Sequence, residues 1–209
     1  MTEPFSRLRL HAAEILGRDL RSLELESIIK YLEILAEWNA VHRMVGSHDR
    51  NWMVDHLILD SLLFLKVFPT SAKRILDVGS GAGVPGIPLK IVRPEMELVM
   101  VEARRKRASF LSAAVRALGL RAATVVNARA EVLGVDDLGV FDVITARCTS
   151  EPRRLFAMVE RFLTEHGSAI VSGPPKATVL GARCRWVEVA SPVGGLQRNF
   201  ALMEAPPRR

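Results

Sequence analysis

Residues 75–86, ILDVGSGAGVPG, constrain this chain more than any other stretch: an apolar run reaches an acid, Asp77, and breaks at once into a glycine loop. Ile75, Leu76 and Val78 read as a buried strand, and Gly79, Gly81, Gly83 and Gly86 let the backbone turn tightly against a ligand. Pro85 stands where a helix can begin, because its missing N–H costs nothing in a first turn. Strand, glycine loop and helix make a nucleotide-type cradle at the carboxyl edge of a parallel sheet. The loop lacks the Gly-Lys-Ser/Thr of a P-loop, which removes that reading.

The rest of the chain is consistent with such a sheet. At 209 residues and 49% hydrophobic, it can bury the core of one compact α/β domain with a small appendage. No apolar run is long enough to cross a bilayer. The opening MTEPFSRLRLHAAEIL lacks the basic start and apolar centre of a secretory signal. The two cysteines, Cys148 and Cys184, have no metal-ligand spacing, so a reducing cytoplasm is the expected location and no metal is expected. Net charge is +6, and only six of the 29 basic residues are lysines. Arginine forks grip phosphates bidentately, which suits a nucleic-acid partner; an arginine-favouring codon bias is the alternative.

Two regions follow from the patterning, a helical extension over 1–70 and an α/β core over 71–209. In the first, Leu25, Ile28, Ile29, Leu32, Leu35 and Ala36 recur at helical spacing, with Ser22 as cap. A second helix is predicted from about Asp49 to Val67. The core reads as strands at 73–78, 97–102, 121–126, 140–145 and 167–172, with helices at 85–93, 104–118 and 151–164. The tail differs: RWVEVA and RNFALME flank SPVGGLQ, whose Gly194-Gly195 suits an antiparallel hairpin. A doubly wound parallel sheet that closes in such a hairpin is Rossmann-like in the manner of class I methyltransferases, whereas nicotinamide domains continue in parallel.

Several side chains can carry chemistry. Glu102 ends the second strand, 25 residues after Asp77, where a carboxylate can accept from both ribose hydroxyls of a nucleoside cofactor. NAD and S-adenosylmethionine both offer that ribose. Arg104, Arg105, Lys106 and Arg107 open the next helix against its macrodipole, each at a cost of roughly 0.3–1 kcal/mol, so a polyanion or a surface ion pair must offset them. The helix stripe Phe110, Leu111, Ala114, Val115 and Leu118 puts Arg107 near its buried centre and Arg105, Ser109, Ser112 and Arg116 outside. Ala130 and Glu131 follow the third strand, and Arg147 stands just beyond the fourth, where a guanidinium suits a carboxylate or a phosphate. Cys148 lacks the Pro-Cys context of a cytosine-C5 nucleophile and reads as a packed thiol. His56 and Asp60, four apart on a helix, share a face and can touch substrate or orient the cradle.

Together these residues resemble the glucose-inhibited division protein B family of bacterial methyltransferases. The likeness runs from about Tyr31 to Arg147 through YLEILAEWN, HLILDSL, DVGSGAGVPGIPLKIVRPE, KRASFL, ARAE and TAR. The resemblance implies methyl transfer from S-adenosylmethionine to guanine N7 of 16S ribosomal RNA, with that RNA or the small ribosomal subunit as partner. It also implies that Gly79, Gly81 and Val84 line the methionine and ribose site and that Glu102 holds the ribose. Ala130 and Glu131 would border adenine, with Arg147 beside the donor. Arg104, Arg105, Lys106, Arg107 and His56 are the RNA-binding candidates. The chain departs from the family at HRMVG, where Asn-Leu-Thr is usual, and at SGPPK, where Lys-Gly is usual. It has Glu102 for the usual aspartate, and three residues instead of two between His56 and Asp60, which predicts a rotation of about 100° off the expected face. Guanine N7 has an in-plane pair and no proton, so no general base is needed and no catalytic residue can be named. Another methyl acceptor on the same fold and an RNA-binding protein with a vestigial pocket remain the alternatives, with a nicotinamide enzyme behind them.

Overall fold

In the computed structural model, residues 3–147, 151–173, 180, 183–195 and 197–205 are described. The short Ile-, Leu- and Val-rich runs form strands β1 (Arg74–Val78), β2 (Glu97–Val101), β3 (Ala123–Val126), β4 (Phe141–Arg147) and β5 (Leu163–Ser172). They pair in parallel, and β7 (Gln197–Glu204) lies antiparallel between β5 and β6 (Cys184–Ala190), giving the order β3-β2-β1-β4-β5-β7-β6. The predicted closing hairpin is therefore present, with Gly194 and Gly195 at φ 64° and 63° in its turn. Strand order reverses between β1 and β4, so the connections leaving their carboxyl ends diverge and open a crevice there.

Both sheet faces are covered, which is why the central strands are apolar throughout. Alternate residues serve two cores. Ile75, Leu98, Met100 and Val143 face the larger one, and Leu76, Val78, Val99 and Val101 face the other. The larger core receives α1 (Glu3–Leu16), α2 (Ser22–His42), α5 (Gly86–Val92) and α6 (Arg105–Ala117), with Tyr31, Phe64, Phe110 and Phe200 fully buried. Phe64 and Phe200 meet edge-to-face at 4.8 Å. On the opposite face, beside the short helix α7 (Val135–Leu138), α8 (Pro152–Val159) packs Leu155 and Phe156 against Phe141 and Phe162.

Three local expectations need correction. Ser22 is the first helical residue, not the cap; the Glu24 carboxylate reaches back to the Arg21 N–H (2.9 Å) and also holds Arg18 at 2.8 Å. The helix expected over 151–164 ends earlier, in a 3₁₀ turn Glu160–Phe162, because Leu163 already pairs with Phe141 in the sheet. The helix expected from Asp49 to Val67 is interrupted. After α3 (Arg50–Met53), capped by Asp49 at 2.9 Å, comes a π-helical turn Val54–Leu59 closed by the Asp60 N–H on the Asp55 carbonyl. Then follow α4 (Asp60–Leu62) and a 3₁₀ turn Leu63–Lys66.

Candidate cofactor-binding site

The loop after β1 folds back on β2. Gly79 and Ser80 both donate to the Val101 carbonyl, at 2.8 and 3.3 Å. Gly81 has φ 56°, and a Cβ there would lie 3.3 Å from Arg107 Nη1, so the backbone bend and the nearby guanidinium both favour glycine. At Gly86 a Cβ would fall 2.9 Å from Asp77 Oδ2, so α5 can start against the acid only without a side chain. The Gly86 N–H donates to Asp77 Oδ2 (3.3 Å) and the Thr145 hydroxyl to Oδ1 (3.0 Å). Asp77 is therefore an internal brace that ties β1 to β4 and to the start of α5. Burial pushes its carboxyl up from 3.8 to about 6, and the Thr145 hydrogen bond opposes the shift.

Glu102 is buried beneath the loop. Its Oε2 accepts from the Gly81 N–H (2.9 Å) and its Oε1 from the Arg104 N–H (2.8 Å). Each oxygen keeps a second lone pair, a set that fits the two adjacent hydroxyls of a ribose. Asn127 fixes the strand end by donating to the Glu102 carbonyl at 2.8 Å. Beside Glu102 lies a cavity of about 320 Å³ whose wall includes Gly79, Ala128, Ala130 and Glu131. Small residues leave room there for a flat ring, so the donor set and the shape both fit a nucleoside.

Gly79, Glu102, Ala130 and Glu131, expected together from the sequence, thus share one cavity. Gly81 acts through its amide on Glu102. Val84 does not line this cavity; it is half-buried against the larger core. The far wall comes from Arg154, Leu155 and Met158 on α8, which sequence reasoning missed. The sequence reading of 151–164 goes no further than a helix.

Two charged groups lie outside the lining of this cavity. Arg104, Arg105, Lys106 and Arg107 line a cleft of about 310 Å³ with His42, Arg43 and Met44. Arg107 is half-buried and reaches the glycine loop, as its place on the helix stripe predicts. His56 lies apart from this cleft, in the π turn, stacked near Trp52 with ring centroids 5.1 Å apart. His56 and Asp60 share a face, as their spacing predicts: His56 Nδ1 lies 3.9 Å from Asp60 Oδ2, across the π turn Val54–Leu59. Arg147 Nη2 donates to the His56 carbonyl and lies 3.6 Å from Asp60 Oδ2. Arg198 grips the same carboxylate in a fork at 2.9 and 3.2 Å. Cys148 and most of the SGPPK segment lie outside the described residues. Among the described residues no His, Cys, Asp and Glu cluster has the makings of a metal site, and no helix is long and apolar enough to cross a membrane.

The strand order, the antiparallel β7 and the acid-lined cavity define a class I, Rossmann-like methyltransferase built for S-adenosylmethionine. The chain belongs to the GidB family, rRNA small subunit methyltransferase G, whose model matches residues 24–172. Ribosomal RNA small subunit methyltransferase G of Roseiflexus castenholzii is 37% identical over 186 residues, spanning 83% of this chain and 78% of that one. Its counterpart in Neisseria meningitidis serogroup C is 37% identical over 145 residues, 69% of this chain and 68% of that one. Among solved structures, MtNAS in complex with MTA and tNA matches at TM-score 0.56 and 22% identity, over 97% of this chain and 76% of that one. A SAM dependent methyltransferase from Aquifex aeolicus matches at 0.54 and 18%, over 73% and 93%. At these identities the two structures speak for the fold.

Proposed function

We propose that this chain methylates guanine N7 of 16S ribosomal RNA in the cytoplasm, acting on that RNA or on the small ribosomal subunit. The observation that carries the reading is the Glu102 carboxylate beside a nucleoside-sized cavity, with one amide on each oxygen and one acceptor position left on each. In this reading Glu102 takes the ribose hydroxyls, Ala130 and Glu131 border the adenine, and Gly79, Gly81 and Val84 shape the loop around the rest. Arg147 stands on the donor side. Arg104, Arg105, Lys106 and Arg107 supply the cations for the RNA backbone, and His56 is a further RNA contact.

S-adenosylmethionine, when bound, supplies a methyl on a positively charged sulfur. The chain's own task is positional. Guanine N7 presents an unshared pair in the ring plane and no proton, so the site needs alignment and exclusion of water more than a base. The product ring becomes cationic, which a carboxylate or water tolerates better than another arginine.

The test is transfer to 16S RNA from a strain lacking this chain, supplied naked and as small subunits, with nucleosides read by mass spectrometry. N7-methylguanosine is the expected product. Methyl on another atom would overturn the acceptor assignment, and no transfer together with no S-adenosylhomocysteine binding would overturn the enzyme reading.

A further inference from the structure

Three segments distant in sequence converge on one carboxylate. Asp60, at the end of the π turn, faces Arg147 from β4 at 3.6 Å, and the Arg198 fork from β7 holds it at 2.9 and 3.2 Å. Asp60 is 16% exposed and Arg147 18%, so the group is largely desolvated and its geometry is worth more than a surface pair. One carboxylate thus serves two guanidinium groups, which leaves a net positive charge. The Arg147 fork is only half used: Nη2 is taken by the His56 carbonyl, and Nη1 is buried without a partner. A cationic donor left unpaired in this way is costly unless something anionic meets it.

The position of that donor limits what can meet it. Thr145 pairs with Asp77 across β1 and β4, so Arg147, two residues on, stands level with the start of the glycine loop. Its charge is felt at Tyr31, whose hydroxyl holds the Ala82 carbonyl in that loop at 2.6 Å. The free nitrogen is closed to bulk water, so a ligand meets it only after side chains move, and a small carboxylate on a flexible tail asks less of that movement than a phosphate carried on an RNA backbone.

We propose that Asp60 and Arg198 are positioning residues, which hold the Arg147 fork so that Nη1 receives the carboxylate of the cofactor's amino-acid tail. The inference rests on the methyltransferase reading and adds a C-terminal strand residue, Arg198, to the site's support. Asp60 directly follows the π turn Val54–Leu59, and its N–H closes that turn on the Asp55 carbonyl.

Two ligands separate this role from a merely structural one. S-adenosylhomocysteine carries the amino-acid tail, whereas 5′-methylthioadenosine keeps the nucleoside and sulfur without it. Titrating the full chain, Asp60→Asn and Arg198→Met should each weaken S-adenosylhomocysteine about tenfold, the worth of one charge-assisted contact, and leave 5′-methylthioadenosine within about twofold. Arg198→Met, on a strand near the sheet edge, supplies the comparison if Asp60→Asn does not fold. Equal losses for both ligands, no loss for either, or a loss confined to RNA binding would overturn the clamp. A wild-type chain that bound neither ligand would sink the methyltransferase reading, and the clamp with it.

Discussion

At the scale of single residues, two buried carboxylates do different work. Asp77 is structural, and its raised carboxyl sets the sign of a pH effect. The folded chain holds a proton up to about pH 6, whereas the unfolded chain releases it near 3.8, so the stability this group contributes is full below the lower value and lost as pH rises through the upper one. The unfolding free energy of the wild type, measured against Asp77→Asn, should therefore fall by about 2 kcal/mol between pH 4 and pH 7. Parallel profiles would contradict the burial argument. Glu102 is the acid we propose for the cofactor ribose. Glu102→Gln, which replaces one acceptor oxygen by a donor amide, should weaken S-adenosylhomocysteine by about 10- to 100-fold in a calorimetric titration, the worth of a hydrogen bond to a charge. The importance of both acids was legible from their place around the glycines. Their division of labour was not, because only packing decides which is sealed by Thr145 and Gly86 and which keeps lone pairs free beside a cavity.

At the scale of elements, the helices before the sheet brace the loop. Tyr31 of α2 is fully buried and donates to the Ala82 carbonyl at 2.6 Å, so a helix remote in sequence holds the bend in place. Tyr31→Phe keeps the ring and strands the carbonyl, which should cost about 1–3 kcal/mol of stability and weaken cofactor binding in parallel. Thermal unfolding with and without S-adenosylhomocysteine reads both, and an unchanged transition would refute the brace. Hydrophobic period and glycine placement located α6 and the first four strands within a residue or two, since those signals are local, whereas β5 starts four residues before the expected 167. The π turn was invisible for the opposite reason. VDHLIL has an ordinary helical pattern, and the turn it forms leads directly into Asp60, whose partner Arg198 lies far along the chain.

At the scale of the whole molecule, charge and core set the expectations. Four cations on α6 and its approach share a cleft with His42 and Arg43, so RNA affinity should fall with salt, and Arg105→Ala with Lys106→Ala should reduce the slope of log affinity against log salt by about 2. A slope equal to that of the wild type would remove the cleft from the RNA path. We also propose the division into a helical extension, 1–70, and a core, 71–209, as two regions of one folding unit, because Tyr31, Phe64 and Phe200 belong to a single core cluster. Residues 71–209 alone should lack a cooperative thermal transition; a sharp one would show that the core stands by itself. The order of strands and helices, the glycine bend and the acid after β2 were determined by the sequence alone, because period, backbone freedom and residue spacing act over short stretches of chain. The tertiary structure alone decided that α8 walls the cavity, that Tyr31 ties the loop and that Asp60 joins Arg147 to Arg198. Those contacts join residues up to 138 positions apart, and no local preference encodes a pairing that exists only once the sheet has closed.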